Sequence, residues 1–289
     1  MPTYRFVTVD VFTSQRFGGN PLAVFSDARG ISDADMQNLA REFNLSETTF
    51  VLPPEDPANT AHVRIFTPAR EMPFAGHPNV GTGWVLAQEG RAAGGTLRFE
   101  ELAGLVEVRV EDDLVTIAAP QPLSLGEQLD VEHVAACAGI EVADLITTGH
   151  VPMLASTGNP FFFAEVSGPA LTRASPDVAA FRRAIASRPG LGGRLSLHLY
   201  ARDGARIRSR MFGPLLGVAE DPATGSANVT LGSLLLSLSG DAEARFEIVQ
   251  GVEMGRPSLL HVTARRAADG IRATVGGACV PVLRGEVEL

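Results

Sequence analysis

Residues 73–80, Pro-Phe-Ala-Gly-His-Pro-Asn-Val, and residues 222–229, Pro-Ala-Thr-Gly-Ser-Ala-Asn-Val, share the pattern P-x-x-G-x-x-N-V. Each opens an apolar stretch of helical character. A second echo accompanies the first: Gly19-Asn20-Pro21 and Gly158-Asn159-Pro160 both precede an apolar run of strand character. The offsets are similar, 222 − 73 = 149 and 158 − 19 = 139. Two related half-chains are therefore expected, with a single site in the cleft between them.

The pattern on either side agrees. Tyr4 to Phe12, Leu22 to Phe25, Thr48 to Leu52 and His62 to Phe66 read as strands, and Leu97 to Ala118 as two or three more, broken at Glu111-Asp112-Asp113. Between them Ser32 is an N-cap with Asp35 three residues on, and Met36, Leu39, Ala40 and Phe43 follow a helical period. Pro120 to Asp130 is the junction, giving domains of 1–120 and 121–289. In the second half Phe161 to Val166, Leu195 to Ala201 and Arg206 to Phe212 are strand-like, and Ser175-Pro176 starts a helix carrying Val178, Phe181 and Ile185. The short helices after the glycine motifs, Val80 to Ala87 and Ala227 to Leu238, are apolar nearly all round. Such a helix must be wrapped by other structure, which predicts an α+β fold of two similar domains, each a strand barrel around a central helix.

Composition narrows the chemistry. The 289 residues carry a formal charge of −9, which argues against a nucleic-acid or anionic-membrane surface. All 24 basic residues are arginine. Without lysine there is no Schiff base, no pyridoxal-phosphate linkage and no Walker-type P-loop. Cys137 and Cys279 sit in apolar surroundings and form neither a disulfide framework nor a four-thiolate metal site. No secretory leader pattern and no apolar run of membrane length is present, so a cytoplasmic location is expected.

The chemistry-bearing residues gather at the motifs. His77 or Ser226 is expected at an N-cap, with Pro78 at the first helical position. The free N–H groups of the first turn, helped by the helix dipole, then make a carboxylate or phosphate cradle involving Gly76, Asn79, Gly225 and Ser226. Glu47 lies between a helix and a strand. The matching turn of the second half, Ser187-Arg188-Pro189-Gly190, has no acid. Asp221 stands where the first half has Met72. A symmetric scaffold with unmatched acids fits a site that uses one base. The ligand so indicated is small, anionic and amine-bearing.

With these residues in place, the chain resembles the phenazine-biosynthesis PhzF-like isomerase family of the diaminopimelate-epimerase-like superfamily. The resemblance is carried by Asp10-Val11-Phe12, Phe17 to Val24, Asn44 to Thr48, Phe66-Thr67-Pro68, Gly76-His77-Pro78 and Glu220 to Ala227. It implies no cofactor, no metal and often a homodimer. The namesake reaction converts trans-2,3-dihydro-3-hydroxyanthranilate to its ketone tautomer. By that resemblance Glu47 carries a proton from one ring carbon to another. His77 and Asp221 bind polar groups of the substrate, and Ser226 with the helix N–H groups holds its carboxylate. Such a carboxyl works best with its pKa raised by enclosure, so Glu47 is expected to be largely buried. Asn79 and Asn228 depart from the small or hydroxyl residues of many relatives and bear on specificity.

Two alternatives stay open at this point. Amino-acid epimerases of the superfamily use a thiol before each motif glycine. Here those positions are Ala75 and Thr224, which cannot act as bases near neutral pH. A binding protein that kept the cleft without catalysis is the other.

Overall fold

The computed structural model describes residues 1–191, 193–203 and 206–289. They divide into two compact units, Met1–Ala118 with Gly276–Leu289, and Ala119–Val275.

The first unit contains β1 (Thr3–Val11), β2 (Asn20–Phe25), α1 (Asp33–Phe43), β3 (Glu47–Leu52), β4 (Ala61–Phe66), β5 (Glu71–Met72), α2 (Gly76–Gln88), β6 (Thr96–Glu101), β7 (Gly104–Glu111) and β8 (Leu114–Ala118). A C-terminal strand, Cys279–Glu288, pairs antiparallel with β1 from Thr3↔Glu288 to Val11↔Cys279, which is why the end of the chain belongs with its beginning. Next in order β1 is antiparallel to β2, β2 parallel to β3, β3 antiparallel to β4, and β4 parallel to β6, which continues antiparallel into β7 and β8.

The second unit contains β9 (Ser124–Gln128), α3 (Val131–Ala138), β10 (Met153–Ser156), β11 (Pro160–Glu165), α4 (Gly168–Arg173), α5 (Val178–Ala186), β12 (Leu197–Asp203), β13 (Arg206–Gly213), β14 (Val218–Asp221), α6 (Gly225–Ser237), β15 (Glu243–Gln250), β16 (Ser258–Ala267) and most of β17 (Gly270–Gly277). Its pairing repeats that of the first: β10 antiparallel to β11, β11 parallel to β12, β12 antiparallel to β13, and β13 parallel to β15. The short β5 and β14 flank β4 and β13 in the same way.

The wrapped helices are as expected. Ten of the thirteen residues of α2 and eleven of the thirteen of α6 are buried, so neither helix has a solvent face. α2 packs against β1, β2, β3, β7 and β8, and α6 against β10, β11, β15 and β16. The approach is close enough to require glycine. A Cβ at Gly81 would lie 2.6 Å from Leu22 Cδ2, and one at Gly232 would lie 2.5 Å from Val262 Cγ1. α1 buries Met36, Leu39 and Ala40 against Phe25, Phe50 and Phe66, and its N-cap is Ser32, accepting from the Asp35 N–H.

Three helix expectations need correction. The N-cap positions of α2 and α6 are Ala75 and Thr224, so His77 and Ser226 are second helical residues and Pro78 the third. Proline is tolerated there because no first-turn N–H has an intrahelical acceptor. α5 starts at Val178 rather than at Ser175-Pro176, because the Asp177 carboxylate caps the N–H groups of Ala179 and Ala180. The second half has three outer helices, not one. α3 and α4 are eight and six residues long, too short to give a clear apolar period.

Candidate active site

Glu47 opens β3, where the parallel register places it beside Leu22 of β2. His77 lies in the first turn of α2, and its Nε2 is 3.4 Å from Glu47 Oε2. Their side chains are 6% and 17% exposed. The carbonyl of Pro21 lies close to the ring and favours its N–H, and Nε2 has no hydrogen bond of its own. A carbonyl only accepts, so the proton of the neutral ring is assigned to Nδ1. Burial pushes His77 down to about 3, with the Pro21 carbonyl opposing in part, so the ring is neutral. Its Nε2 therefore turns a lone pair, not a proton, towards Glu47. It can accept a hydrogen bond from a protonated Glu47 and gives none to an ionised one.

The counterpart of Glu47 in the second unit is set by the sheet. The Phe162 N–H donates to the Ser196 carbonyl, and Phe162↔Leu197 is the first paired position of β11 and β12. Aligning Asn20-Pro21 with Asn159-Pro160 then puts Ser196 at the place of Glu47. The structural match is thus a serine rather than the Ser187–Gly190 turn, and again no acid.

Asp221 ends β14 opposite Met211, as Met72 ends β5 opposite Ile65. Its neighbour Glu220 is taken up in a two-pronged ion pair: Arg210 Nε and Nη2 donate to its carboxylate at 2.7 and 2.8 Å. The first unit has the same fork, Arg64 on Glu71 at 2.7 and 2.8 Å. Asp221 is turned the other way and accepts from the Thr224 hydroxyl at 2.6 Å. Gly225 and Ser226 form the first turn of α6, where no side chain caps the helix. Ala75 likewise leaves α2 uncapped at Gly76 and His77. Both first turns thus keep N–H groups that an anion can use.

Around the two motif asparagines lie buried polar residues that the sequence reading passed over. Asn79 Nδ2 donates to the Ala75 carbonyl and Asn228 Nδ2 to the Thr224 carbonyl, each at 3.1 Å. Behind Asn228 lies Gln250 (Asn228 Nδ2 to Gln250 Oε1, 2.6 Å), and beside Asn79 lies Glu101. The offsets 228 − 79 and 250 − 101 are both 149, the interval of the glycine motifs, and following that interval past the motifs would have found both residues. Desolvation pushes Glu101 up to about 8, opposed by Asn79, which faces the carboxyl without closing a hydrogen bond to it. His198 is buried, is pushed down to about 3 by desolvation, and donates Nε2–H to Asn228 Oδ1 at 3.2 Å. Ser209 donates to the same oxygen.

The turn after β15 presses on the Asp221–Thr224 loop. Gly251 has φ +78°, and a Cβ there would lie 2.5 Å from the carbonyl oxygens of Pro222 and Arg256. Gly251→Ala is expected to destabilise the protein by about 3 kcal/mol, read from urea unfolding, because both neighbours are backbone. An unchanged midpoint would show that the loop yields.

Cys137 and Cys279 are buried and unbridged, and desolvation raises both thiols, Cys137 to about 12. Among the described residues no group of three or more His, Cys, Asp or Glu could hold a metal ion, and no helix is long and apolar enough to cross a membrane.

A profile of the family described as phenazine biosynthesis-like protein matches residues 9–285. The chain belongs to the PhzC-PhzF family. It is 37% identical over 296 residues to the trans-2,3-dihydro-3-hydroxyanthranilate isomerase of Pseudomonas chlororaphis, covering 99% of this chain and 100% of that one. A PhzF family phenazine biosynthesis protein of Bacillus anthracis superposes with a TM-score of 0.90 at 25% identity, over the whole of both chains. A hydroxyproline epimerase of Agrobacterium vitis, at 16% identity, shares the fold with a TM-score of 0.62 over 99% of this chain and 93% of that one. The protein is thus a PhzF-like isomerase with the diaminopimelate-epimerase-like fold. The residues that precede the two motif glycines are Ala75 and Thr224, and neither is a cysteine.

Proposed function

We propose that the protein is a cofactor-independent isomerase that moves one proton between two carbons of a small, carboxylate-bearing cyclic substrate. The reading takes trans-2,3-dihydro-3-hydroxyanthranilate as the first candidate, because the Pseudomonas chlororaphis relative carries that name. Glu47 is the base. Its carboxylate takes the proton from one ring carbon, the C–H electron pair passes into the ring system, and the carboxylic acid so formed returns the proton to a second carbon. One C–H bond breaks, one forms, and Glu47 ends as it began. A neutral His77 suits both halves, since its Nε2 lone pair steadies the protonated carboxyl and gives no proton to the carboxylate. Asp221 holds the substrate amine, and Gly76, Asn79, Gly225 and Ser226 surround its carboxylate. The homodimer implied by the resemblance and the cytoplasmic location expected from the sequence pattern belong to the same reading.

The observation that carries this reading is the Glu47–His77 pair itself, a largely buried carboxyl 3.4 Å from a neutral imidazole, with serine at the corresponding place in the second unit. Purified protein mixed with the candidate substrate is expected to produce its ketone tautomer, followed by ultraviolet absorbance. Binding without conversion, seen calorimetrically, would favour the non-catalytic alternative. Neither binding nor conversion would remove this substrate.

A further inference from the structure

The polar groups behind Asp221 form a chain whose donors and acceptors can be assigned one by one. Gln250 is fully buried and makes four hydrogen bonds. Its Oε1 accepts from the Thr224 N–H at 3.1 Å and from Asn228 Nδ2 at 2.6 Å. A backbone N–H can only donate, so the amide is fixed with its oxygen towards Thr224 N. Its Nε2 must then give its protons elsewhere, and it does: to the Asp221 carbonyl at 2.7 Å and to Thr224 Oγ1 at 3.0 Å. The Thr224 oxygen is thereby occupied as an acceptor. Its single proton is directed to Asp221 Oδ2 at 2.6 Å. Thr224 is the N-cap residue of α6, yet its side chain makes no cap hydrogen bond. A threonine at that position ordinarily caps the helix, so a hydroxyl turned to Asp221 leaves the first-turn N–H groups open.

We infer that Thr224 and Gln250 are positioning residues, a relay that aims the Asp221 carboxylate and keeps it an anion for the substrate's amine, while leaving the N-terminus of α6 uncapped for the substrate's carboxylate. The inference rests on the reading that Asp221 touches the substrate. A hydroxyl donor into a buried carboxylate favours its ionised form, and a donor held by its own donor cannot rotate away. Nothing comparable exists at the matching positions of the first unit, where Ala75 replaces Thr224 and Met72 replaces Asp221.

Thr224→Val keeps the shape and removes the hydroxyl; Thr224→Ser restores it. Gln250→Glu keeps the shape but turns a donor into an acceptor, inviting the Thr224 proton away from Asp221. The first readout needs no substrate: the Asp221 carboxyl carbon, labelled with ¹³C, is titrated by NMR. Its midpoint is expected to rise by about one pH unit in Thr224→Val and in Gln250→Glu, and to return towards that of the unsubstituted protein in Thr224→Ser. The second is the kcat/KM profile on the candidate substrate, where Thr224→Val is expected to lose about tenfold or more, with the acid limb moved towards neutrality and Thr224→Ser rescuing both. Superimposable titrations of Thr224→Val and the unsubstituted protein would overturn the relay. A shifted titration in a protein that binds the candidate substrate without converting it would uphold the relay and overturn the proposed isomerase.

Discussion

Glu47→Gln is expected to lose activity by about 10³-fold in kcat while KM and the folded structure change little. The amide has the shape of the carboxyl but cannot take a proton from carbon. Its NH₂ can donate to His77 Nε2, which lies 3.4 Å from Glu47 Oε2 and has no hydrogen bond of its own. A drop in kcat with an unchanged melting temperature separates lost chemistry from lost structure. His77 adds a second signature. Since burial holds it near 3, the imidazole stays neutral above about pH 4, and no limb of the pH profile between 5 and 8 comes from its titration. A variant retaining more than about a tenth of the activity would place the proton on some other group.

The second large effect concerns stability. Glu101 is 9% exposed, and desolvation raises it from an ordinary 4.5 to about 8. Between these values the folded chain keeps the proton and the unfolded chain has released it, so unfolding is increasingly favoured as pH rises. The loss is about 1.4 kcal/mol per pH unit, roughly 4–5 kcal/mol across the window, and levels off above pH 8. His77 and His198 act oppositely. Both are held neutral near 3, so stability falls as pH drops below their unfolded value near 6.5. The stability curve should therefore peak close to pH 6.5 and decline on both sides. Glu101→Gln is expected to remove the alkaline decline and leave the acid one, as read from urea unfolding at pH 5, 6.5 and 8. The substitution installs in the first unit the amide that the second has at Gln250, against the same kind of asparagine. A decline of equal slope in the variant would show that Glu101 is ionised in the folded protein.

The wrapped helices were legible because an all-apolar 3.6-residue pattern has one physical solution; Glu47 and Asp221 stood out because duplication exposes whatever breaks it, and His77 because it sits inside a glycine motif. The cap positions were not. Ala75 offers no side chain to accept a hydrogen bond, and Thr224 spends its own on Asp221, so the ordinary N-cap signal pointed two residues too far along. The pairing of the C-terminal strand with β1 is a contact across some 280 residues, which no local pattern encodes. Gln250 and Glu101 stood in view at the 149-residue interval, but a lone glutamine ending a strand carries no signal until the loop it holds is known.

The central claim is that one carboxyl, Glu47, moves the proton. NMR of the candidate substrate in D₂O tests it most directly, with the unsubstituted protein and Glu47→Gln side by side. Deuterium appearing at a ring carbon with the unsubstituted protein, and at none with Glu47→Gln, is the predicted result. Exchange proceeding at the same rate in both would contradict it.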